Sequence, residues 1–298
     1  MKVLNFFEKF DEQIVLALGF FDSLHKGHIK VINEAKKIAN DKNILPVVFT
    51  FENNLPVKDS ENKGLVFTFN ERLKKIEKLD VNTVISAVFT KEFSNISPFE
   101  FVKIITDNFK VTNIVCGNDY RFGKGGNADV SFLLNECKKY GVNLHVIDLL
   151  KDNDEKISTT TIKTLLSEGK VEDANSLLSE PYTISGVVIK DRQVGRQMDF
   201  PTANVKISTD KFKIKNGVYK THVIINGKKY DGITNYGNRP TFSLDEVLTE
   251  THILGFNGDL YGKNITIYFD KFIRELIKFD NIDELKEQIR KDLEKIYD

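Results

Sequence analysis

Between residues 14 and 150 the apolar positions fall in short runs separated by stretches of helical period. IVLALGF precedes HIKVINEAKKIAN, ILPVVFTF precedes FNERLKKIEKL, and TVISAVF precedes PFEFVKIITDNF. NIVCGN then leads into VSFLLNECKKY, and NLHVIDL closes the series. Buried runs alternating with amphipathic helices predict a parallel α/β sheet covered by helices on both faces. Ligands of such sheets sit at the carboxyl ends of the strands. Two further short helices, TIKTLLSEG and VEDANSLL, are expected before Pro181.

Beyond Pro181 the period changes. YTISGVVIKD, GVYKTHVIINGKKYDGITNYG, THILGF and KNITIYFDKFI are rich in strand formers and broken by turns such as Asn226-Gly227 and Asn257-Gly258, which predicts a small antiparallel barrel. In the last stretch Ile282, Leu285, Ile289, Leu293 and Ile296 recur at helical spacing, so a terminal helix packed on the barrel is expected. The change of period divides the chain into domains of residues 1–180 and 181–298.

Composition narrows the function classes. A chain of 298 residues with 41% hydrophobic and 29% charged residues has material for two ordinary cores. No window reaches the roughly 18 apolar residues of a membrane span, and the first residues lack the pattern of a signal peptide, so a cytoplasmic protein is expected. Forty-three basic residues balance forty-three acidic ones. No global positive field draws the chain to nucleic acid, and any phosphate must be held locally. Neither a membrane nor an obligatory protein partner is expected. Cys116 and Cys137 lack metal-like or C-x-x-C spacing and read as core thiols.

Candidate chemistry begins directly after the strand IVLAL, where GFFDSLHKGH (residues 19–28) runs into a helix. A helix start offers free N–H groups and a positive dipole end to phosphate. His25 and His28 can add hydrogen bonds to charge developing on an α-phosphate and a departing pyrophosphate. A lone histidine here would more often cap or pack a helix; a pair in this setting points to a nucleoside triphosphate. No third metal ligand is apparent. Downstream, ISTTTIK places Ser158, Thr159 and Thr160 at another helix start, with Lys156 and Lys163 beside them. Alone, that run is more often only an N-cap; with the histidines it suits phosphate. GNDYRFGKGG (residues 117–126) permits close backbone approach and offers Arg121, although an ordinary surface turn reads equally well.

HKGH with ISTTTIK resembles the HxGH and ISSTxIR pair of the nucleotidyltransferase superfamily. Together with GNDYRFGKGG, residues 14–180 resemble the FAD synthetase module of bacterial bifunctional riboflavin kinase/FAD synthetases. The resemblance implies a Rossmann-like nucleotidyltransferase sheet that transfers AMP from ATP to FMN and releases pyrophosphate. It further implies that His25 and His28 stabilise the transferring phosphates, that Asp119 helps hold the nucleotide, and that Lys156, Ser158, Thr159 and Thr160 clasp the triphosphate. Gly19, Arg121 and Lys163 fall within the same ATP and phosphate set. Departures are visible: Phe20 and Ser23 stand where the family has Asn and Gly, TFENNLP lacks the histidine of TFxPHP, and Lys163 replaces an arginine.

In the second domain, Thr202 and Asn204 of GRQMDFPTANV lie two apart on an extended chain and face one side. Their neutral oxygens suit Mg²⁺ shared with nucleotide phosphate, while an Asx-type turn is the plainer reading. Glu250 opens the strand ETHILGF, where it can accept the proton of an attacking hydroxyl; a strand glutamate is otherwise usually only solvated. GRQMDFPTAN, NGVY, GNRPTF and ETHILGFNGDLYGK occur in the order found in riboflavin kinases. That resemblance implies a six-stranded Greek-key barrel, Thr202 and Asn204 near Mg²⁺, and Glu250 as base for the ribityl hydroxyl. It also implies ATP or flavin contacts from Gly195, Pro201, Asn238, Arg239 and Arg274, the last within a flavin-side arm, FIRELIKF. ATP is then a co-substrate, riboflavin a substrate, and FMN and FAD products or substrates rather than redox cofactors.

Asp199 replaces the family glycine before FPTAN. A carboxylate about 4 Å from phosphate costs on the order of 4 kcal/mol at an effective dielectric near 20, unless it reaches the Mg²⁺ shell or solvent. The alternative function is therefore an FAD synthetase whose barrel binds flavin with weak or no kinase activity. A flavin-sensing or nucleic-acid-binding module is a further alternative, opposed by the neutral charge and by the joint presence of His25, His28, Thr202, Asn204 and Glu250.

Overall fold

The computed structural model describes residues 1–55, 63–148, 150–152, 155–190, 201–238 and 247–295. The chain divides into two compact units, Met1–Thr159 and Thr160–Asp298. No helix among the described residues is long and apolar enough to cross a membrane.

In the first unit the elements are β1 (Lys2–Asn5), β2 (Phe10–Leu18), α1 (Lys26–Lys42), β3 (Leu45–Phe51), α2 (Phe69–Glu77), β4 (Thr83–Ala87), α3 (Lys91–Ser94), α4 (Pro98–Asn108), β5 (Phe109–Gly117), α5 (Val130–Lys139) and β6 (Asn143–Ile147). The strands form one parallel sheet in the order β1-β4-β3-β2-β5-β6. Ile14 to Leu18 are all buried, because a central strand covered on both faces needs a continuous apolar run. Helices begin where a hydroxyl or carboxylate can accept a free N–H: Thr68, Thr90, Ser97 and Asp129 each cap the helix that follows. Phe6 packs against Phe49, Phe93 and Phe101 with ring centroids 5.4, 5.3 and 5.4 Å away. Cys116 and Cys137 are both buried and free, with burial pushing their thiols up to about 12 and about 11.

β1 is absent from the predicted elements. Its four residues carry the burial pattern exposed, exposed, buried, exposed, and so leave almost no periodic trace. A small hairpin, β7 (Lys151–Asp152) with β8 (Glu155–Lys156), is likewise unanticipated.

The strand order has a functional consequence. From β2 the chain moves toward β3 and β4, then crosses to the other side of β2 to form β5. The switch point therefore lies between β2 and β5, where Leu18 is in register with Cys116. A crevice opens outside the carboxyl ends of two strands whose following loops diverge. Both loops carry predicted site residues.

The second unit contains α6 (Thr159–Glu168), which begins at the division, α7 (Val171–Leu177), and six strands: β9 (Thr183–Ile189), β10 (Thr202–Lys206), β11 (Gly217–Ile225), β12 (Lys228–Asn238), β13 (Val247–Ile253) and β14 (Asn264–Arg274). They close an antiparallel barrel in the order β10-β13-β12-β11-β14-β9. β11, β12 and β13 form a meander and β10 returns beside β13, which is a Greek key. Tyr219, Tyr236 and Phe269 fill the interior. Three threonine hydroxyls join across it, Thr221 to Thr234 and Thr234 to Thr251, each at 2.8 Å. The side chain of Asn175 on α7 donates to the carbonyl of Phe269 and accepts from the amide of Tyr182, both at 2.8 Å. The expected terminal helix is α8 (Ile282–Glu294), capped by Asn281.

Candidate active sites

A cavity of about 850 Å³ lies at the switch point of the first unit. His25 is the N-cap of α1, and its Nδ1 accepts the amide of His28 at 3.1 Å. An imidazole nitrogen that accepts carries no proton, so neutral His25 holds its proton on Nε2. The rings of His25 and His28 stack with centroids 3.6 Å apart and planes 15° off parallel. Burial lowers the pKa of His25 to about 4. His28 is held well below its ordinary value by burial, then by the neighbouring His25 and the charge of Arg72. Both rings are thus neutral at pH 7. The cavity receives N–H dipoles rather than two imidazolium charges.

Gly27 explains the glycine between the histidines. A Cβ there would lie 3.0 Å from Cε1 and 3.1 Å from Nδ1 of His25, so any side chain would push the capping ring aside by a few tenths of an ångström. Gly19 is similarly constrained, since a Cβ would fall 2.7 Å from the ring of Phe21.

Opposite the histidines, Asp119 follows β5 and Lys156 ends β8; their side chains pair at 2.5 Å. Ser23 Oγ and Thr159 Oγ1 lie 2.9 Å apart, linking the histidine loop to the start of α6. Gly19, His25, His28, Asp119, Arg121, Lys156, Ser158 and Thr159 all line the cavity. Arg121 is exposed, with its guanidinium 3.9 Å from Asp129. Thr160 and Lys163 are not part of that lining. Thr160 is exposed in the first turn of α6, its carbonyl accepting from the Thr164 hydroxyl. Lys163 is buried, with its ammonium 5.5 Å from the centre of the Phe212 ring.

The sequence reading missed the apolar wall of this cavity, formed by Phe49, Phe51, Phe89, Phe93, Phe101 and Phe122. These residues come from strands, loops and helices far apart in the chain. Each looks like an ordinary core residue on its own element, and phenylalanine is abundant, with 23 in the sequence. Only their convergence gives the cavity an apolar side.

In the barrel, the β10–β13 register sets Thr202 opposite His252 and Asn204 opposite Glu250. Residues directly opposed in an antiparallel pair share a face, so these four stand together. The alternate residues Ala203, Val205, Thr249 and Thr251 are buried in the barrel interior. His252 Nδ1 lies 2.9 Å from the carbonyl oxygen of Pro201, which can only accept, so Nδ1 donates. Pro201, Thr202 and Asn204 line a cavity of about 620 Å³ together with Lys190, Phe256 and Tyr261. Glu250 is adjacent through its register with Asn204 but does not line that cavity.

Gly195, Asp199 and Arg239 lie outside the described residues, as does the side chain of Asn238. Arg274 ends β14, and its guanidinium is held by Asp292 of α8 through contacts of 2.6 to 2.9 Å, with a further donation to the Glu275 carbonyl at 2.9 Å. Its observed partners are therefore within the protein. Among the described residues no group of three His, Cys, Asp or Glu side chains could hold a metal ion. Thr202 and Asn204 instead offer two neutral oxygens, a donor set suited to a magnesium ion that keeps its waters and shares phosphate oxygens.

A riboflavin kinase family model matches residues 178–298, and an FAD synthetase family model matches residues 7–161. The bifunctional riboflavin kinase/FMN adenylyltransferase of Bacillus subtilis (strain 168) is 36% identical over 93% of this chain and 90% of its own length. The chain belongs to the bacterial bifunctional riboflavin kinase/FMN adenylyltransferase family. The family member from Escherichia coli (strain K12) is 30% identical over 94% of this chain and 91% of its own length. A crystal structure named as a macrolide-efflux protein from Streptococcus pneumoniae superposes with a TM-score of 0.86 at 27% identity, covering 99% of this chain and 98% of that one. The family's two modules thus account for both units of the fold, and each of the two cavities falls within a different family match.

Proposed function

We propose that the chain phosphorylates riboflavin to FMN and then adenylylates FMN to FAD, with ATP as co-substrate in both steps. Residues 1–180 would serve adenylyl transfer and residues 181–298 phosphorylation. The observation that most supports the first activity is the neutral, stacked histidine pair at the mouth of α1, facing Lys156, Ser158 and Thr159 across one cavity.

In adenylyl transfer, a phosphate oxygen of FMN attacks the α-phosphorus of ATP. The bond to the bridging oxygen breaks, and pyrophosphate leaves. His25 donates from Nε2 toward the charge that gathers on the phosphates, while the amino end of α1 and Lys156 attract them. Binding of the triphosphate would exchange the Asp119 carboxylate for phosphate at Lys156. The phenylalanine wall would take the flavin ring by stacking and apolar contact.

In phosphorylation, the ribityl hydroxyl attacks the γ-phosphorus and ADP departs. Glu250 accepts the hydroxyl proton. Thr202 and Asn204 would hold Mg²⁺, which neutralises charge on the phosphates when bound. His252 orients this segment by fixing the Pro201 carbonyl.

Chromatography of products from riboflavin and MgATP tests the assignment. His28→Ala should accumulate FMN, and Glu250→Ala should form none while still converting added FMN to FAD. If both variants make FAD like the parent, the site roles are wrong. A parent protein that makes FAD from FMN but no FMN from riboflavin would establish the single-function alternative.

A further inference from the structure

α2 brings a residue that neither motif contains behind the wall of the adenylyltransferase cavity. Arg72 is completely buried. Its Nη1 donates to the carbonyl of Phe20 at 3.0 Å and to Thr50 Oγ1 at 2.5 Å, and its Nη2 donates to the carbonyl of Phe51 at 2.6 Å. The Thr50 hydroxyl donates in turn to the same Phe20 carbonyl at 2.6 Å. Two donors therefore converge on one oxygen of the loop between β2 and the histidine pair. Phe20 and Phe51 both line the cavity.

That loop needs a clamp. Phe21 and Leu24 hold φ values of 51° and 45°, a left-handed conformation that is strained for a residue with a Cβ. Phe21 packs edge-on against His28 with ring centroids 5.2 Å apart, so relaxation of the loop would move the histidine. The Asp22 carboxylate anchors the same loop by accepting the Val66 amide at 2.8 Å.

Arg72 is an expensive way to build a core. Its guanidinium donates to two carbonyls and a hydroxyl, and the charges of Asp22 and Glu71 favour its cation. Burial brings its pKa down to about 10, so the cation persists at neutral pH. Apolar residues of similar volume commonly stabilise a core as well as a buried charge does. The cation also bears on His28, whose proton affinity it reduces.

We infer that Arg72 is a positioning residue for adenylyl transfer: its guanidinium clamps the Phe20 carbonyl and so fixes the loop that presents His25 and His28 to the nucleotide. This rests on the adenylyltransferase reading above. Lysine cannot replace it, because one ammonium cannot reach acceptors on two loops in the planar fork that guanidinium provides.

The test uses the full chain with Arg72→Lys and Arg72→Met, measuring both half-reactions in the same preparations. Adenylyl transfer from ATP to FMN should lose about 10- to 100-fold in kcat, with a smaller change in the KM for ATP, as misplacing catalytic groups by an ångström does. Riboflavin phosphorylation should stay within about 2-fold of the parent, since it draws on the other cavity. By NMR, the His28 imidazole of Arg72→Met should titrate at higher pH than in the parent. Adenylyl transfer close to the parent in both variants, with His28 unmoved, overturns the inference. If both variants lose both activities through unfolding, Thr50→Val decides, because it keeps Arg72 and removes the second donor to Phe20: a fall of about 3- to 10-fold in adenylyl kcat is expected, and no fall overturns the inference. A parent that fails to adenylylate FMN instead rejects the reading on which the inference stands.

Discussion

The Nδ1 atom of His25 accepts the amide of His28 at 3.1 Å, so one imidazole both caps a helix and fixes the proton that it presents to the cavity. Capping and phosphate contact, competing readings of this histidine in the sequence, are compatible, because the cap uses Nδ1 and leaves the Nε2 proton free to serve the proposed adenylyl transfer.

Gly27→Ala should therefore damage activity. The added methyl group would press on the His25 ring at about 3.0 Å and shift it by a few tenths of an ångström. Weakening the N-cap should cost up to about 1 kcal/mol of stability, and displacement of the donor should lower adenylyl kcat by up to about 10-fold. Steady-state kinetics of both half-reactions, with riboflavin phosphorylation as control, measure the effect.

The lowered pKa of His25 makes stability depend on pH. Its folded value is about 4 against an ordinary 6.5, so between these values the unfolded chain binds a proton that the folded one refuses. Stability is then highest above pH 6.5 and falls as pH drops toward 4, by up to about 3 kcal/mol from this residue. His28, also depressed, acts in the same direction. Urea unfolding of the first unit's transition at pH 7 and pH 4.5 should show the loss, and His25→Gln should show less of it; an equal loss in both proteins would exclude His25 as its source.

Within the barrel, Thr234 is the middle of the hydroxyl chain linking Thr221 and Thr251. Thr234→Val keeps the volume but strips both neighbours of a buried partner, which costs about 1–3 kcal/mol. Replacing all three by valine should recover part of that loss, because no orphaned hydroxyl remains. Thermal denaturation of the single and triple variants distinguishes the two outcomes.

Asp292 is almost fully buried and binds Arg274 through both carboxylate oxygens. Asp292→Ala leaves the guanidinium without its carboxylate and should cost about 3 kcal/mol, releasing α8 from β14. Hydrogen exchange of α8 amides should accelerate more than exchange in β11 or β12; uniform protection across the barrel would contradict this.

The change of apolar period at Pro181 was enough to predict a parallel α/β unit followed by an antiparallel barrel, because strand and helix periods are local properties of the chain. The histidine motif, the ISTTT run and the FPTAN segment were equally legible as motifs, since each falls at a local element boundary; Glu250, expected to open its strand, instead lies in the middle of β13, because pairing with β10 and β12 extends that strand back to Val247. Tertiary structure decided what depends on distance across the chain. It alone brought six phenylalanines to one wall, set Asn204 opposite Glu250, committed Arg274 to Asp292, and set the Lys163 ammonium over the Phe212 ring. It also made Arg72 a clamp on Phe20, 52 residues away. Sequence spacing records which way a side chain leaves its own helix or strand, whereas strand order and packing determine which other side chains it meets.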